Sequence, residues 1–290
     1  KHNDLEVVMN QQASRYFVPA PSHLPLVGSS ALFLLASGAV LWMNKFAVGP
    51  YVVLAGFAVL LFMLFGWFGR VIGESEGGKY NKQVDVSFRW GMSWFIFSEV
   101  MFFAAFFGAL FYVRVLSVPD LASAEQQLLW PGFTANWPSA GPKFAEQFTP
   151  MGAMGIPLIN TLLLLSSGAT LTWAHWGLVA GKRGQLKLGL MFTIALGLLF
   201  LSLQVYEYVH AYQELNLKLT TGVYGSTFFM LTGFHGLHVT IGATMLLVIL
   251  FRVLAGHFKP DHHFAFEAVA WYWHFVDVVW LFLFVVVYWL

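Results

Sequence analysis

The sequence predicts an all-α membrane protein with seven transmembrane helices, and three observations carry that reading. Of the 290 residues 58% are hydrophobic and only 10% charged, with a mean hydropathy of +0.69. Soluble domains carry about 25% charged residues, so composition alone points to lipid. Seven apolar runs are each long enough to cross roughly 30 Å of hydrocarbon. None alternates with period two and each exceeds the ~10 residues of a barrel strand, which favours helices over a membrane barrel.

The runs lie at about 26–46, 51–71, 88–116, 154–180, 186–209, 223–253 and 267–290, numbered helices 1 to 7 in chain order, with ends good to a few residues. Residues 1–25 form an N-terminal segment, and helices 1–2 fill 26–72. The first 20 residues lack the apolar core of a signal peptide, so helix 1 is expected to act as the insertion signal. No Met precedes Lys1, so one or more residues are expected to be trimmed or missing. Residues 73–87 (GESEGGKYNKQVDVS) read as a polar, glycine-bearing link that separates helices 1–2 from a second part at 88–290. The longest loop, 117–153, holds Pro119, Pro131, Pro138, Pro142 and Pro150 with Trp130 and Trp137. Long loops in compact proteins dock or bind, and tryptophan favours the membrane interface, so this loop is expected to pack at the outer surface. There is no internal repeat, which weighs against a secondary transporter.

Lys and Arg orient the bundle. The N-terminus and the loops after helices 2, 4 and 6 hold 11 of the 15, among them Lys1, Arg15, Lys82, Lys182 and Lys259. Lys45, Arg114, Lys143 and Lys218 lie on the opposite side. The excess places the N-terminus in the cytoplasm and the C-terminus outside.

Composition also excludes chemistry. A net charge of +1 without a basic run argues against a nucleic-acid partner. With no Cys the chain can form no disulfide, thiolate metal site, iron–sulfur cluster or covalently attached c-type haem. A dinuclear copper site built on two cysteines is excluded for the same reason.

The remaining signal is polar residues inside apolar helices. Glu99 in RWGMSWFIFSEVMFF lies about 10 residues into helix 3, ~15 Å deep at 1.5 Å per residue. Two readings stay open: a protonated glutamate bonded to a neighbouring helix, or a carboxylate that influences proton uptake by a partner. His235 and His238 in TGFHGLHVTIG sit at i and i+3, a spacing that suits a metal or an interhelical bond. Gly233, Gly236 and Gly242 around them suggest close helix approach, which favours the interhelical bond. Glu207 and His210 in helix 5 form one E-x-x-H motif where a di-iron bundle needs two, so snorkelling near the helix end is the better reading. In helix 7, WYWHFVDVVW carries His274 and Asp277 three apart on a stripe with Glu267 and Trp271. They are expected to bond to each other or to the helix 6 histidines as a structural network, and no metal site is expected.

Four segments carry a family resemblance: RWGMSWFIFSEVMFF at 89–103, PLINTLLLLSSGATLTWAH at 157–175, VYGSTFFMLTGFHGLHV at 223–239 and the stretch from His262 to Trp289. They resemble subunit III of the haem–copper cytochrome c oxidases in the family's order, while helices 1–2 match more loosely through Pro25, Gly28 and Gly73-Glu74-Ser75. The resemblance implies helices 1–2 splayed from a helix 3–7 bundle, with a V-shaped cleft that binds phospholipid. It implies an accessory subunit without haem or copper of its own, packed against a catalytic subunit I that holds those cofactors. Such a subunit supports proton uptake and stability of the proton-pumping, oxygen-reducing partner.

By motif, Glu99 matches the family's buried helix-3 glutamate, and His235, His238, His274 and Asp277 match its helix 6 and 7 signatures. Glu74 and Arg252 match positions near lipid headgroups. This chain has Gly73 where mitochondrial relatives carry an Arg, and Lys79 and Tyr80 where they carry a His pair. Arg70 and Lys79 are therefore expected to supply the phosphate contacts. The long 117–153 loop suggests a bacterial plasma membrane, the mitochondrial inner membrane being the alternative. A quinol oxidase subunit III and an independent proton-conducting transporter are the competing functions.

Overall fold

A computed structural model describes residues 16–143 and 147–290. Lys1 and Arg15, used above for orientation, lie outside the described residues, as does most of the N-terminal segment. Among the described residues seven helices are long and apolar enough to cross a membrane: α1 Leu24–Met43, α2 Gly49–Glu76, α3 Lys82–Leu121, α4 Ile156–Val179, α5 Arg183–Gln213, α6 Gly222–Leu254 and α7 Phe264–Trp289. Among the described residues the only strand-like pairing is an isolated bridge between Lys259 and His262. The all-α, seven-span architecture expected from the sequence is the observed one.

The helices run past their apolar cores. The stretch 73–87, read as a linker, is mostly helical: α2 continues to Glu76 and α3 begins at Lys82. A helix satisfies its backbone internally and has no reason to stop where the hydrocarbon does. It stops here at Gly77 and Gly78, the latter at φ 69°, a left-handed conformation that glycine takes without strain. At the other end of α3, Pro119 follows a wide π turn at Tyr112–Ser117. A proline ring crowds the carbonyl four residues back, and widening the preceding turn relieves it. Pro25, Pro50 and Pro157 begin α1, α2 and α4, where a missing N–H costs nothing.

The chain divides into two compact units, one ending at Phe88 and one from Arg89 to Leu290. In the first, α1 and α2 pack as a hairpin on glycines. A Cβ on Gly38 would lie 2.7 Å from the Val53 nitrogen, and one on Gly56 2.8 Å from that of Leu35. Without a hydrophobic force between helices in lipid, close backbone approach of this kind is what holds them.

In the second unit α4, α5, α6 and α7 form the packed body. Buried positions on α4 recur every three or four residues, from Pro157 through Asn160, Leu164, Ser167, Leu171 and Ala174 to Leu178, so one stripe faces inward. Trp273 of α7 is fully buried at the centre. Its indole lies against Gly197 of α5 and Gly242 of α6, where added Cβ atoms would come within 2.7 and 2.8 Å of the ring. Its Nε1–H donates to Ser167 Oγ of α4 at 2.8 Å. Trp280, two turns on, repeats the pattern by donating to Thr161 Oγ1 at 2.9 Å. Gly242 thus serves close packing as the sequence suggests, whereas Gly236 has nothing within 4 Å and faces outward.

The described parts of the 117–153 loop dock on the end of this body where α6 begins. The carbonyls of Ser139 and Ala140 accept the N–H groups of Tyr224 and Val223, which the first turn of α6 would otherwise leave without partners. Trp137 and Phe148 pack on the Tyr224 ring at 5.6 and 5.4 Å.

Gly242→Ala is expected to lower unfolding stability by about 1–3 kcal/mol, because its methyl meets the Trp273 ring. Gly236→Ala, in open space, is expected to be neutral or stabilising by up to about 1 kcal/mol. Thermal unfolding in detergent compares the two.

Candidate functional site

Among the described residues the predicted site residues do not come together in one place. The structure distributes them over separate polar contacts that tie helices together.

Glu99 on α3 reaches α6. Its Oε2 lies 2.9 Å from His238 Nε2, and His238 Nδ1 donates to the Phe234 carbonyl at 2.7 Å. A carbonyl can only accept, so Nδ1 carries a hydrogen. The Glu99–His238 contact then needs one further proton, either on the carboxyl as an O–H donor or on Nε2 beside a carboxylate. The pair therefore holds one shared proton and is neutral overall either way. Phe103 and Phe102 pack on the imidazole at 4.9 and 5.7 Å, and Tyr272 stacks at 6.4 Å. The contact ties α3 to α6 and is compatible with either protonation state of Glu99.

His235 does not share this role. It is fully buried between Phe200 and Trp280, and neither ring nitrogen has a hydrogen-bond partner among the described residues. The i, i+3 spacing places the two histidines on neighbouring faces: His235 turns toward α5 and α7, His238 toward α3. They therefore do not act as one site.

On α7, His274 Nδ1 lies 3.5 Å from Asp277 Oδ2, so these residues contact each other as anticipated. Their other neighbours belong to α4 rather than to the helix 6 histidines. Thr172 Oγ1 is 3.4 Å from His274 Nε2, and the Asp277 carboxylate fills the notch at Gly168, where any Cβ would collide with Oδ2.

A third cluster joins α3, α4 and α7 through residues the sequence analysis did not bring together. Arg89 forms a bidentate ion pair with Glu267, with Nη2 donating to Oε1 at 3.1 Å and Nη1 to Oε2. His263 Nε2 lies 3.1 Å from Glu267 Oε1 and 3.4 Å from His175 Nε2. The ligand atoms of His175, His263 and Glu267 lie within 4.8 Å of one another, a set that could hold a divalent metal. Arg89 already engages both Glu267 oxygens, so an ion would share the carboxylate with the guanidinium. The sequence held a weak signal for this cluster, since the starts of α3 and α7 and the end of α4 fall on one side of an alternating bundle, but no local spacing links positions 88 residues apart.

Glu207 corrects the sequence reading most clearly. It is fully buried and accepts from Tyr288 Oη at 2.6 Å, with Gln204 Nε2 at 3.5 Å. α5 runs on to Gln213, so Glu207 lies well inside on the buried stripe with Phe200, Gln204 and Ala211. Snorkelling therefore does not apply to it. His210 instead pairs with Glu214 at 3.1 Å.

The positions matched to lipid headgroups fare unevenly. Tyr80 donates to Glu74 Oε2 at 2.8 Å, and burial together with that carboxylate pushes the phenol well above its usual range. Arg70 and Lys79 are exposed. Arg252 is instead nearly buried, its guanidinium over the Phe258 ring at 4.3 Å and Nε 3.4 Å from His257 Nδ1. It braces the α6–α7 connection, which Arg183 also clamps by donating to the carbonyls of His257 and Phe258 at 2.8 and 2.7 Å.

The family model for cytochrome c oxidase subunit III matches residues 14–290. The chain belongs to the cytochrome c oxidase subunit III family. Relatives include the cytochrome c oxidase subunit 3 of Papio hamadryas, of Dugong dugon and of Mus musculus. Each is 42% identical over 282 residues, covering 97% of this chain and 99% of the relative. The resemblance drawn from the four segments thus extends to essentially the whole chain, α1 and α2 included. In this subunit III chain, as described, the intramembrane acids Glu99, Glu207 and Glu267 each bond a side chain on another helix.

Glu99→Gln is expected to preserve the α3–α6 link, since an amide N–H can donate to His238 Nε2. Glu99→Leu removes it. A double-mutant cycle of Glu99→Leu with His238→Leu is expected to give a coupling of about 1–3 kcal/mol by thermal unfolding. Additive effects would mean that the contact contributes nothing.

Proposed function

We propose that this chain is an accessory subunit of a proton-pumping cytochrome c oxidase, with haem, copper and oxygen chemistry confined to partner subunits. The observation that carries the reading is the combination of full-length family membership with the absence of any cysteine. The intramembrane polar groups add support, because the chain's own side chains occupy most of them. Relatives are named as cytochrome c oxidase subunits, which supports the cytochrome c branch over a quinol oxidase. A bacterial plasma membrane, with the N-terminus cytoplasmic and the C-terminus outside, is the compartment proposed from the long outer loop and the Lys and Arg distribution.

The chain's residues would serve catalytic subunit I in two ways. Glu99 and His238 hold one proton between Oε2 and Nε2 at the α3–α6 contact, so it can pass from one atom to the other without a change in the net charge of the pair. Arg70 and Lys79, with Glu74 and Tyr80 beside them, would contact phospholipid phosphates through charge-assisted bonds. Arg252 drops out of that set because its guanidinium is taken up by Phe258 and His257.

Purification through a tag on this chain is expected to bring down a larger, haem-bearing subunit, while the separated chain shows no haem absorbance. A stable chain that conducts protons without such a partner would overturn the reading. The double variant Arg70→Ala with Lys79→Ala is expected to reduce tightly held lipid phosphorus in the purified complex, measured per haem, while leaving electron transfer intact.

A further inference from the structure

Within the second unit His274 is more open than Glu99, Glu207, His238 and Asp277. The side chain is 44% exposed, while that of Asp277 beside it is 9% exposed. It lies ten residues into α7, about 15 Å along the helix and too deep for a lipid headgroup. The surface around it is apolar, with Val278 and Leu281 on α7 and Leu165 on α4 all exposed. A polar ring facing hydrocarbon at that depth would be costly, so the position calls for a polar neighbour from outside the chain.

The hydrogen-bond geometry says what kind of neighbour. Thr172 donates its only hydroxyl hydrogen to the Gly168 carbonyl at 3.0 Å, so its oxygen meets His274 Nε2 as an acceptor. Nε2 must then carry a hydrogen. Nδ1 faces Oδ2 of the buried Asp277 at 3.5 Å, a contact that needs one further proton, on Nδ1 or on the carboxyl, and that fixes the ring with Nε2–H turned away from it. The bond to Thr172 is long, at 3.4 Å, and leaves that donor largely unspent.

We propose that the α4–α7 seam centred on His274 docks this chain onto a neighbouring membrane-spanning subunit of the oxidase. In that contact His274 Nε2–H donates to an acceptor oxygen on a helix of the neighbour. Asp277 and Gly168 are positioning residues: one orients the ring and the other makes room for the carboxylate. The inference rests on the reading of the chain as part of an oxidase complex and adds which face makes the contact.

The test places a photoreactive benzoylphenylalanine at Val278 in the assembled complex, and at Leu237 on the exposed side of α6 for comparison. The Val278 variant is expected to form an adduct with a second oxidase subunit. Adducts only with lipid or with another copy of this chain, or subunit adducts only from Leu237, would overturn the proposal. In addition, His274→Leu is expected to lower recovery of the haem-bearing partner in detergent about tenfold, as loss of one hydrogen bond predicts, with His274→Gln retaining it. Equal recovery of all three proteins would count against the role of Nε2–H. If the unaltered chain brings down no haem-bearing subunit at all, the functional reading fails, which is a separate outcome.

Discussion

The Trp273 indole is the contact on which the four-helix body depends. One side chain from α7 touches glycines on α5 and α6 and donates its N–H to a serine on α4, so all four helices meet at one ring. In a membrane this constraint is strict. Lipid tails solvate leucine as well as another helix does, so association relies on close packing and on buried hydrogen bonds. A flat, rigid ring in a slot of two glycines supplies the first, and the indole N–H supplies the second. Trp280 and Thr161 repeat the bond two turns further along α7, which fixes the rotation of α7 against α4 as well as its distance.

With α4 to α7 fixed, the polar side chains fall into place around them. α3 is tied to the body at two levels, by Arg89 to Glu267 near one end and by Glu99 to His238 within the span. Each tie matches a donor with an acceptor so that no lone charge faces hydrocarbon, as the cost of a buried charge demands. The same economy applies to Glu207, which accepts a hydrogen bond from Tyr288. His274 departs from the pattern, since its ring is held by a buried carboxylate yet turned outward.

Much of the fold was legible in the sequence, and the candidate site less so. Run length and composition gave seven spans because crossing hydrocarbon requires about 20 apolar residues, a local property. Helix ends were less legible: Glu74 to Glu76 and Lys82 to Phe88 are polar or mixed, yet the backbone stays helical beyond the lipid. His274 with Asp277 was readable because the two lie on one helix face. Glu207 was misread because its bond to Tyr288 crosses 81 residues, and an E-x-x-H near a helix end looks the same whether buried or snorkelling.

The sequence by itself determined the class of molecule, the number of spans and the family, and through its lack of cysteine it excluded thiolate-bound metal centres. Those follow from composition, local periodicity and contiguous motifs. Only the tertiary structure decided which polar groups pair. It matched Glu99 with His238, passed over His235, drew Arg252 onto Phe258 and left His274 facing out. Each of these depends on the rotation of one helix about its axis relative to another, and that rotation is set by which side chains interlock at contacts such as Trp273 with Gly197 and Gly242. A turn of 100° per residue separates neighbouring positions, so a spacing of three fixes a face without saying what that face will meet.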